Sequence, residues 1–360
     1  MKIFFSGGGT LGSVMPLLAI KESIAQRYKN TAFFWCGTKG GVEIEILHKQ
    51  HIPFFALYCG KLRRYFSVKT ILDGVYIVMG IIQSLYLLKK HTPDVCISAG
   101  GFVSFPLHVA AKLLGIPTWV HQQDVHIGLA NKLLAPLASC DTVSVPELQK
   151  KFPKKEVHVL GNPVRKNIYT GDKRKAREIF GLQKNVPVVF VTGGGTGAIK
   201  LNEMIYDVLP QLEGKCQLVH LTGKNRGSKQ IVDLKKQYSW YHPHEFLSEN
   251  IHHLYTIADI VIFRGGFGTL TELSALKKAA ICIPKSGHQE KNAAYFAEKK
   301  ALIFVSETDS GNIFANHILD LLENESKQTL FGAALANTLP ITKEEDIQTI
   351  IDNILSKKIA

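Results

Sequence analysis

The sequence lacks the Cys-x-x-Cys pattern, and its first residues lack the pattern of a secretion signal. Six cysteines are spread over 360 residues, and no two have the Cys-x-x-Cys spacing that many zinc and redox sites use. Single, scattered thiols are typical of a reducing compartment. Only the short stretch Met1–Ser6 precedes the first glycine run, so the charged start and long apolar run of a signal peptide are missing. These absences predict a cytoplasmic protein.

Acidic residues are scarce in the first half of the chain. Residues 1–165 contain 19 lysines and arginines against 9 acidic residues, and the whole chain carries a net charge of +13. Such a basic half predicts an anionic partner surface, either nucleic acid or an anionic bilayer. The 46% hydrophobic content is sufficient for packed cores, and the length suggests about two domains.

Two segments of the sequence resemble each other. Lys2–Thr10 is a short apolar strand pattern that runs into glycines and then into helical periodicity up to about Gln26. Pro187–Thr196 repeats this arrangement and leads into a helical pattern up to about Leu212. A duplicated strand, glycine loop and helix predicts two similar α/β domains with parallel sheets.

Further elements are predicted along the chain. Asp94–Ser98 and Thr118–His121 have the apolar character of buried parallel strands, and Phe102–Leu114 has that of a helix between them. We expect a linker at residues 161–165, where Asn-Pro interrupts regular structure, and a new helix in the charged run 172–178.

These patterns predict an N-terminal domain of residues 1–163 and a C-terminal domain of residues 164–343. The last segment, 344–360, has the pattern of an amphipathic helix. We expect this helix to return to the first domain.

One basic and apolar segment, residues 61–91, differs from the rest. Its apolar run Ile71–Leu88 contains Asp73 and Gln83 and is flanked by clusters of lysine and arginine. The run is too polar for a confident membrane span. It fits a helix that lies in the membrane interface with its basic ends on lipid headgroups. The alternative is an ordinary core helix with solvated ends.

The glycine loops point to phosphate binding, because free N–H groups at a helix start attract anions. A dinucleotide fold also needs an acidic residue at the end of the next strand. Neither Trp35–Thr38 nor His220–Gly223 contains one, which disfavours NAD. The order of a Walker A motif is also absent. The alternative for each loop is a tight turn without a ligand.

A third glycine loop, Arg264–Glu272, follows the predicted strand Ala258–Phe263, and its helix is predicted to continue through Leu273–Lys278. The start of this helix can bind a diphosphate, and Glu272 can accept hydrogen bonds from ribose hydroxyls. A solvated carboxylate is the alternative for Glu272. Arg165 is a candidate counter-charge for the diphosphate.

Nine motifs together resemble the MurG-type transferases, which add GlcNAc from UDP-GlcNAc to lipid I. They occur in the family's order over nearly the whole chain, at residues 8–16, 100–104, 115–117, 121–124, 128–132, 161–165, 193–197, 264–272 and 288–293. The resemblance implies the GT-B fold, with two Rossmann-like parallel-sheet domains facing a cleft. It also implies a peripheral enzyme on the inner face of the plasma membrane, which makes lipid II for peptidoglycan.

The resemblance assigns binding roles residue by residue. Positions that match the family's nucleotide-sugar contacts are Arg165, Gly195, Leu247, Phe267, Gly268, Thr269, Leu270, Thr271, Glu272 and Gln289. Positions that match contacts in the N-terminal domain are Thr10, Leu11, Gly12 and Asp124. The sequence contains no Asp-x-Asp motif, and no metal or cofactor is expected.

Three departures from the family pattern leave the catalytic base open. Ser13 stands where the family has a histidine, Gly195 replaces a common serine, and residues 121–124 read His-Gln-Gln-Asp rather than His-Glu-Gln-Asn. Asp124 is the first candidate for the base, and His121 and His126 are alternatives. Asp124 could instead cap a helix, and His121 could be a core histidine.

Several functions compete with lipid I glycosylation. A related transferase could use another glycolipid or polysaccharide acceptor, and some UDP-GlcNAc epimerases share the architecture without needing an acceptor. A catalytically silent membrane scaffold would fit the absent histidine. Nucleic-acid binding ranks last, because the basic residues flank an apolar helix instead of alternating with aromatic side chains.

Overall fold

The computed structural model describes the chain apart from residues 42, 61–67, 153–155, 196, 228–229, 248 and 360. For residues 68–71 and 357–359 it describes the backbone alone. The chain divides into two compact units. Unit 1 contains Met1–Arg165 and Pro340–Ala360, and unit 2 contains Lys166–Leu339.

Unit 1 is built on a parallel sheet with the order β3-β2-β1-β4-β5-β6-β7. Its strands are β1 (Lys2–Ser6), β2 (Ala32–Gly37), β3 (Phe54–Ala56), β4 (Val95–Ser98), β5 (Thr118–Gln122), β6 (Cys140–Val143) and β7 (His158–Val159). Its helices are α1 (Met15–Arg27), α2 (Glu43–Lys49), α3 (Val68–His91), α4 (Ser104–Leu113), α5 (Leu129–Leu134) and, from the end of the chain, α14 (Glu344–Ile359). The strands predicted at 94–98 and 118–121 and the helix predicted at 102–114 are confirmed, with bounds that shift by up to two residues.

The central strands of unit 1 are apolar because helices cover both faces of the sheet. Ile3 and Phe5 pack on one face, and Phe4 packs on the other. The strand order reverses between β1 and β4. In such sheets ligands bind beyond the carboxyl ends of the strands at this point of reversal.

The C-terminal helix α14 contributes to the core of unit 1. Ile347 and Ile351 lie in the same buried cluster as Ile3, and α14 packs against α1. Arg27 Nη2 forms an ion pair with Asp352 Oδ2 at 2.8 Å. The sequence begins and ends in this unit, so its core needs both parts of the chain.

Unit 2 repeats the architecture with the strand order β10-β9-β8-β11-β12-β13, again parallel throughout. Its strands are β8 (Val188–Thr192), β9 (Gln217–Leu221), β10 (Tyr241–His244), β11 (Ile260–Phe263), β12 (Ala279–Cys282) and β13 (Ile303–Phe304). Its helices are α6 (Lys173–Phe180), α7 (Ile199–Leu212), α8 (Gln230–Gln237), α9 (Ile251–Ile257), α10 (Phe267–Ala275), α11 (His288–Glu298), α12 (Gly311–Glu323) and α13 (Glu325–Thr338). The reversal point of this sheet lies between β8 and β11.

The predicted extent of the helix after the third glycine loop is wrong. We expected it to continue through Lys278, but α10 ends at Ala275. Lys277 adopts a left-handed φ of 51°, and the N–H of Lys278 donates to Leu273 O, an arrangement that closes a helix end. The Lys278 ammonium then donates to Thr256 O and Ala258 O.

Helix α3 packs on α4 with one face and is exposed on the other. Ser84, Leu87 and Leu88 are buried, and a Cβ at Gly80 would lie 2.0 Å from Tyr58 O. The exposed side presents seven apolar or aromatic side chains, each at least 40% exposed: Leu72, Val75, Tyr76, Val78, Met79, Ile82 and Tyr86. The basic residues predicted at 61–64 and the side chain of Lys69 lie outside the described part of the chain.

By length and composition alone, residues Leu72–His91 could cross a membrane, with a mean hydropathy of 1.3. A spanning helix would be surrounded by lipid, whereas α3 already has one face buried against the protein. A helix that contacts lipid with its exposed face alone fits this packing better.

Candidate functional site

Unit 1 contains a cavity of about 480 Å³ at the carboxyl ends of β1, β4 and β5. The loops that follow these three strands form its walls. They contribute Gly8, Gly9, Thr10, Ser13, Ala99, Gly100, Gly101, Phe102, Gln122, Gln123, Asp124, Gly128, Ala130 and Asn131, and Thr38 follows β2. This is the reversal point of the sheet, where ligands of such folds bind.

The first glycine loop is held by hydrogen bonds within unit 1. The N–H of Gly7 donates to Cys36 O at 3.3 Å, and the N–H of Gly8 donates to Ser13 Oγ at 3.2 Å. The N–H of Gly9 donates to Glu43 Oε2 at 3.2 Å. All three glycine N–H groups therefore have partners in the protein.

Glu43, the first residue of α2, is fully buried. Its Oε1 accepts from the N–H and the hydroxyl of Thr38, each at 2.8 Å. A Cβ at Gly8 or at Gly41 would lie 2.2 Å from this oxygen. The surrounding glycines leave space for the carboxylate, and a larger residue in their place would displace it.

The loop after β4 brings an aromatic ring to the cavity. Gly100 and Gly101 have φ values of +89° and +91°, a backbone conformation that favours glycine. Ser104 Oγ donates to Gly100 O at 2.9 Å and fixes the turn. The ring of Phe102 lies 3.6 Å from the Cβ position of Gly9, so the loops after β1 and β4 lie side by side.

The loop after β5 positions Asp124. Gln122 Nε2 donates to Asp124 O at 2.7 Å and to His126 O at 3.0 Å. Asn131 Nδ2 in turn donates to Gln122 Oε1 at 2.7 Å. These bonds hold a short turn in which Asp124 is partly exposed and lines the cavity, while His126 is exposed.

His121 is fully buried on β5. Its Nδ1 lies 2.9 Å from Thr142 Oγ1, and its Nε2 lies 2.9 Å from Asn162 Oδ1. Burial lowers its pKa from 6.5 to about 4 because the charged form would lose its hydration. Both ring nitrogens are thus engaged inside the protein, and His121 does not line the cavity.

The predicted residues of unit 1 converge on one place. Thr10 and Asp124 line the same cavity. Leu11 and Gly12 lie in the short 3₁₀ turn beside it, and the Cβ position of Gly12 is 3.5 Å from Gln123 Nε2. The loops after β1 and β5 are therefore in contact, although 111 positions separate Gly12 from Gln123 in the sequence.

The third glycine loop begins with an ion pair in unit 2. Arg264 is buried, and its Nη2 lies 2.5 Å from Glu307 Oε1. Gly266 is the N-cap of α10, with extended backbone. Gly268, Thr269 and Glu272 follow it and are partly exposed.

Three predicted contact residues of this loop are buried. Phe267, Leu270 and Thr271 are at most 4% exposed, and Thr271 Oγ1 donates to Phe267 O. Their side chains support α10 from inside, so a contact from these positions to a ligand would come from backbone atoms.

Other predicted residues lie beside this loop or on the neighbouring ones. Gln289 at the start of α11 is next to the third loop, because a Cβ at Gly265 would lie 3.2 Å from Gln289 O. Gly195 is exposed in the loop after β8, and Leu247 is partly exposed after β10. Arg165 is partly exposed and is the residue at which unit 1 passes into unit 2.

The second glycine loop has basic neighbours that the sequence analysis did not single out. The Cβ position of Gly197 lies 3.0 Å from Arg226 Cδ and 2.6 Å from Gly223 Cα. The stem of Arg226 therefore lies along the loop. Lys224 Nζ is 4.9 Å from the centre of the Phe246 ring. Lys224 and Arg226 lie between Gly223 and Gly227 in the sequence. Basic residues between two glycines were the signal that could have identified them.

Glu43 is the main residue that the sequence analysis missed. A dinucleotide fold would have its acidic residue at the end of β2, near Thr38. Glu43 comes five positions later, and the helix start turns its carboxylate back under the loop. Gly37 and Gly41 were the signal that a side chain packs closely there, since a Cβ at either position would lie within 3 Å of the Glu43 carboxylate.

Comparisons with known proteins cover both units. Residues 3–141 match the N-terminal domain of glycosyltransferase family 28, and residues 188–349 match its C-terminal domain. A relative from Bacillus anthracis is 34% identical over 359 residues, which cover 98% of this chain and 99% of the relative. It is named UDP-N-acetylglucosamine–N-acetylmuramyl-(pentapeptide) pyrophosphoryl-undecaprenol N-acetylglucosamine transferase 2.

Solved structures support the fold. Acinetobacter baumannii MurG has a TM-score of 0.75 and 23% identity, with 99% of each chain covered. A UDP-GlcNAc 2-epimerase from Neisseria meningitidis, solved with UDP-GlcNAc, has a TM-score of 0.69 and 16% identity and covers 99% of this chain and 100% of its own. These likenesses confirm two Rossmann-like units of the GT-B type.

Proposed function

Because the chain belongs to glycosyltransferase family 28, we propose that it transfers GlcNAc from UDP-GlcNAc to the MurNAc of lipid I, giving lipid II for peptidoglycan. The observation that carries this proposal is the full-length match to a transferase of that name at 34% identity. The epimerase likeness is limited to the fold, at 16% identity. We therefore favour transfer to an acceptor over epimerisation.

The reaction we propose is a direct displacement that inverts the anomeric carbon. The acceptor hydroxyl oxygen forms a bond to that carbon while the bond to the phosphate oxygen breaks, and UDP leaves with the electron pair. The hydroxyl proton passes to a protein base. Positive charge or N–H groups at the diphosphate stabilise the charge that develops there.

Asp124 is the base we propose. It lines the cavity of unit 1, and the two hydrogen bonds from Gln122 to the turn 124–126 hold its backbone in place. His121 is fully buried between Thr142 and Asn162, which favours a supporting role for it. His126 is exposed and remains a secondary candidate.

Unit 2 is the proposed donor domain. The backbone N–H groups at the start of α10 can donate hydrogen bonds to the diphosphate, since the first N–H groups of a helix lack partners in the helix. Glu272, one turn later, is proposed to accept from ribose hydroxyls, and Gln289 from the sugar. Leu247 and Gly195 lie on neighbouring loops, and Arg165 is proposed as a counter-charge to the diphosphate.

The exposed face of α3 is the proposed membrane contact. It presents seven large apolar or aromatic side chains, and Lys89 and Lys90 are exposed at its end. An apolar face beside lysines is typical of helices that bind anionic bilayers. The proposal places the enzyme in the cytoplasm, bound peripherally to the inner face of the plasma membrane, with no role in nucleic-acid binding.

A transfer assay tests the function. Purified protein is mixed with labelled UDP-GlcNAc and a short-chain lipid I analogue, with UDP-glucose, UDP-galactose and acceptor-free samples as controls. The proposal predicts label in a lipid II-like product with UDP-GlcNAc alone. Hydrolysis or epimerisation without an acceptor, or tight donor binding without transfer, would contradict it.

A further inference from the structure

In the sequence the first glycine loop resembles a phosphate-binding loop, but in the structure three of its N–H groups donate to other atoms of the protein. Phosphate loops bind anions through N–H groups that the protein leaves unpaired. Here the N–H groups of Gly7, Gly8 and Gly9 already have partners in the protein. The partner of Gly9 is the carboxylate of Glu43, a group with the same charge sign as phosphate.

The lining of the adjoining cavity also disfavours a phosphate ligand. Among the described residues, its walls contain amides, hydroxyls, glycines and one aromatic ring, but no lysine, arginine or histidine. The charged side chain in the lining is Asp124. A diphosphate in this cavity would lie beside the Asp124 carboxylate, and like charges brought together in this way disfavour binding.

Two amide oxygens at the cavity accept no hydrogen bond from the described residues. Asn131 and Gln123 line the cavity and are 3% and 6% exposed, and neither Asn131 Oδ1 nor Gln123 Oε1 has a described donor. The Asn131 amide cannot be reversed, because its nitrogen donates to His121 O and Gln122 Oε1. Such oxygens need hydroxyl or N–H donors, which an ionised diphosphate diester lacks.

We propose that Glu43 is a specificity-determining residue, which occupies the first glycine loop in place of a phosphate and restricts the cavity to uncharged, hydrogen-bond-donating groups such as sugar hydroxyls and an acetamide. This inference rests on the proposed function for the identity of the acceptor. If the acceptor is a sugar that carries a diphosphate, its sugar would bind in this cavity. The diphosphate would bind elsewhere.

Binding can be tested without any transfer reaction. The protein, with UDP present in excess to occupy a donor site, is titrated with methyl N-acetyl-β-glucosaminide and followed by saturation-transfer NMR. Inorganic pyrophosphate is then added as a competitor. We expect the sugar to bind, with a weaker signal in Phe102→Ala, and pyrophosphate not to displace it.

Variants of α2 separate the role of Glu43 from a general charge effect. Glu43→Gln keeps the size of the side chain but removes its charge, and we expect pyrophosphate to compete at least about tenfold better. Glu45→Gln makes the same charge change on the same helix at an exposed site and should behave like wild type. Thermal unfolding checks that both variants fold.

Three results would overturn the inference. These are displacement of the sugar by pyrophosphate in the wild type, absence of sugar binding in the wild type, and equal competition in Glu43→Gln and Glu45→Gln. The wild-type measurements decide the matter even if Glu43→Gln does not fold. Because no step requires transfer, failure here is distinguishable from failure of the proposed reaction.

Discussion

Asn162 Oδ1 lies 2.9 Å from His121 Nε2, although 41 positions separate the two residues. Asn162 also pairs with Ile341 at the point where the chain returns to unit 1, and its N–H donates to Pro340 O at 3.0 Å. Through Asn162, His121 therefore links β5 to the segment at which the chain returns to unit 1. Its location favours a structural role.

We expect Asn162→Ala to lower the free energy of unfolding by about 1–3 kcal/mol, because it leaves a buried ring nitrogen of His121 without its partner. Urea denaturation measures this loss. The exposed Asn353→Ala on α14 serves as the control and should change stability by less than about 0.5 kcal/mol. An unchanged midpoint for Asn162→Ala would contradict the structural role.

Buried histidines should make the protein sensitive to acid. His108 and His220 are buried, and burial lowers the pKa of each from 6.5 to about 3. The unfolded chain takes up a proton below about pH 6.5 while the folded one does not. Each histidine therefore contributes stability that is present above pH 6.5 and is lost as the pH falls toward the folded-state pKa.

His108 offers the clearest case, because neither of its ring nitrogens has a hydrogen-bond partner among the described residues. Between pH 7.5 and 5.0, proton uptake by His108 in the unfolded chain should lower the free energy of unfolding by about 2 kcal/mol. We expect His108→Leu to remove that part of the pH dependence and to leave stability at pH 7.5 equal or higher. Urea denaturation at the two pH values checks this.

The matched control is His48→Leu, at an exposed position on α2 of the same unit. It should retain the full loss of stability between pH 7.5 and 5.0. If His108→Leu shows the same pH dependence as His48→Leu, then His108 is not the source of the acid sensitivity.

The sequence predicts the elements of this fold well where the signal is local. The strands at 94–98 and 118–121 follow from short apolar runs, and the glycine loops follow from their position between strand and helix patterns. Both depend on residues that are neighbours in the sequence. The end of α10 was missed because Lys277 adopts left-handed backbone without a glycine to announce it.

The cavity could be predicted only in part. Thr10 and Asp124 were expected at a site, and both line the cavity. The role of Glu43 depends on a helix start that folds back under a loop 34 positions earlier in the sequence. His121 is buried beside Asn162, which follows the last strand of the sheet and lies 41 positions away in the sequence. Tertiary contacts of this kind leave no periodic trace in the sequence.

Asp124→Asn should lower kcat by at least about a hundredfold, because the amide cannot accept the proton of the acceptor hydroxyl. The KM for UDP-GlcNAc should change little, since Asp124 is not among the residues that we propose to bind the donor. The transfer assay with the lipid I analogue measures both constants.

Glu147→Gln is the matched control for Asp124→Asn. It removes a carboxylate at an exposed position of unit 1 and should retain wild-type kcat. If Asp124→Asn stays within a few-fold of wild type, Asp124 is not the base, and His126 becomes the next candidate to test.

The exposed face of α3 should control membrane binding. Ile82 and Tyr86 are 62% and 64% exposed on this face. Ile82→Glu places a charge where an apolar side chain would enter the bilayer, which should lower binding to anionic vesicles at least about tenfold. Co-sedimentation with vesicles measures it, and added salt should weaken wild-type binding because the headgroup contacts are ionic.

Leu330→Glu is the matched control, because Leu330 is 71% exposed on α13 of unit 2. It makes the same chemical change and should leave vesicle binding unchanged. With a water-soluble acceptor, Ile82→Glu should retain wild-type turnover, since none of the described side chains of α3 lines the cavity. Equal loss of vesicle binding in both variants would mean that net charge, and not the α3 face, holds the protein at the membrane.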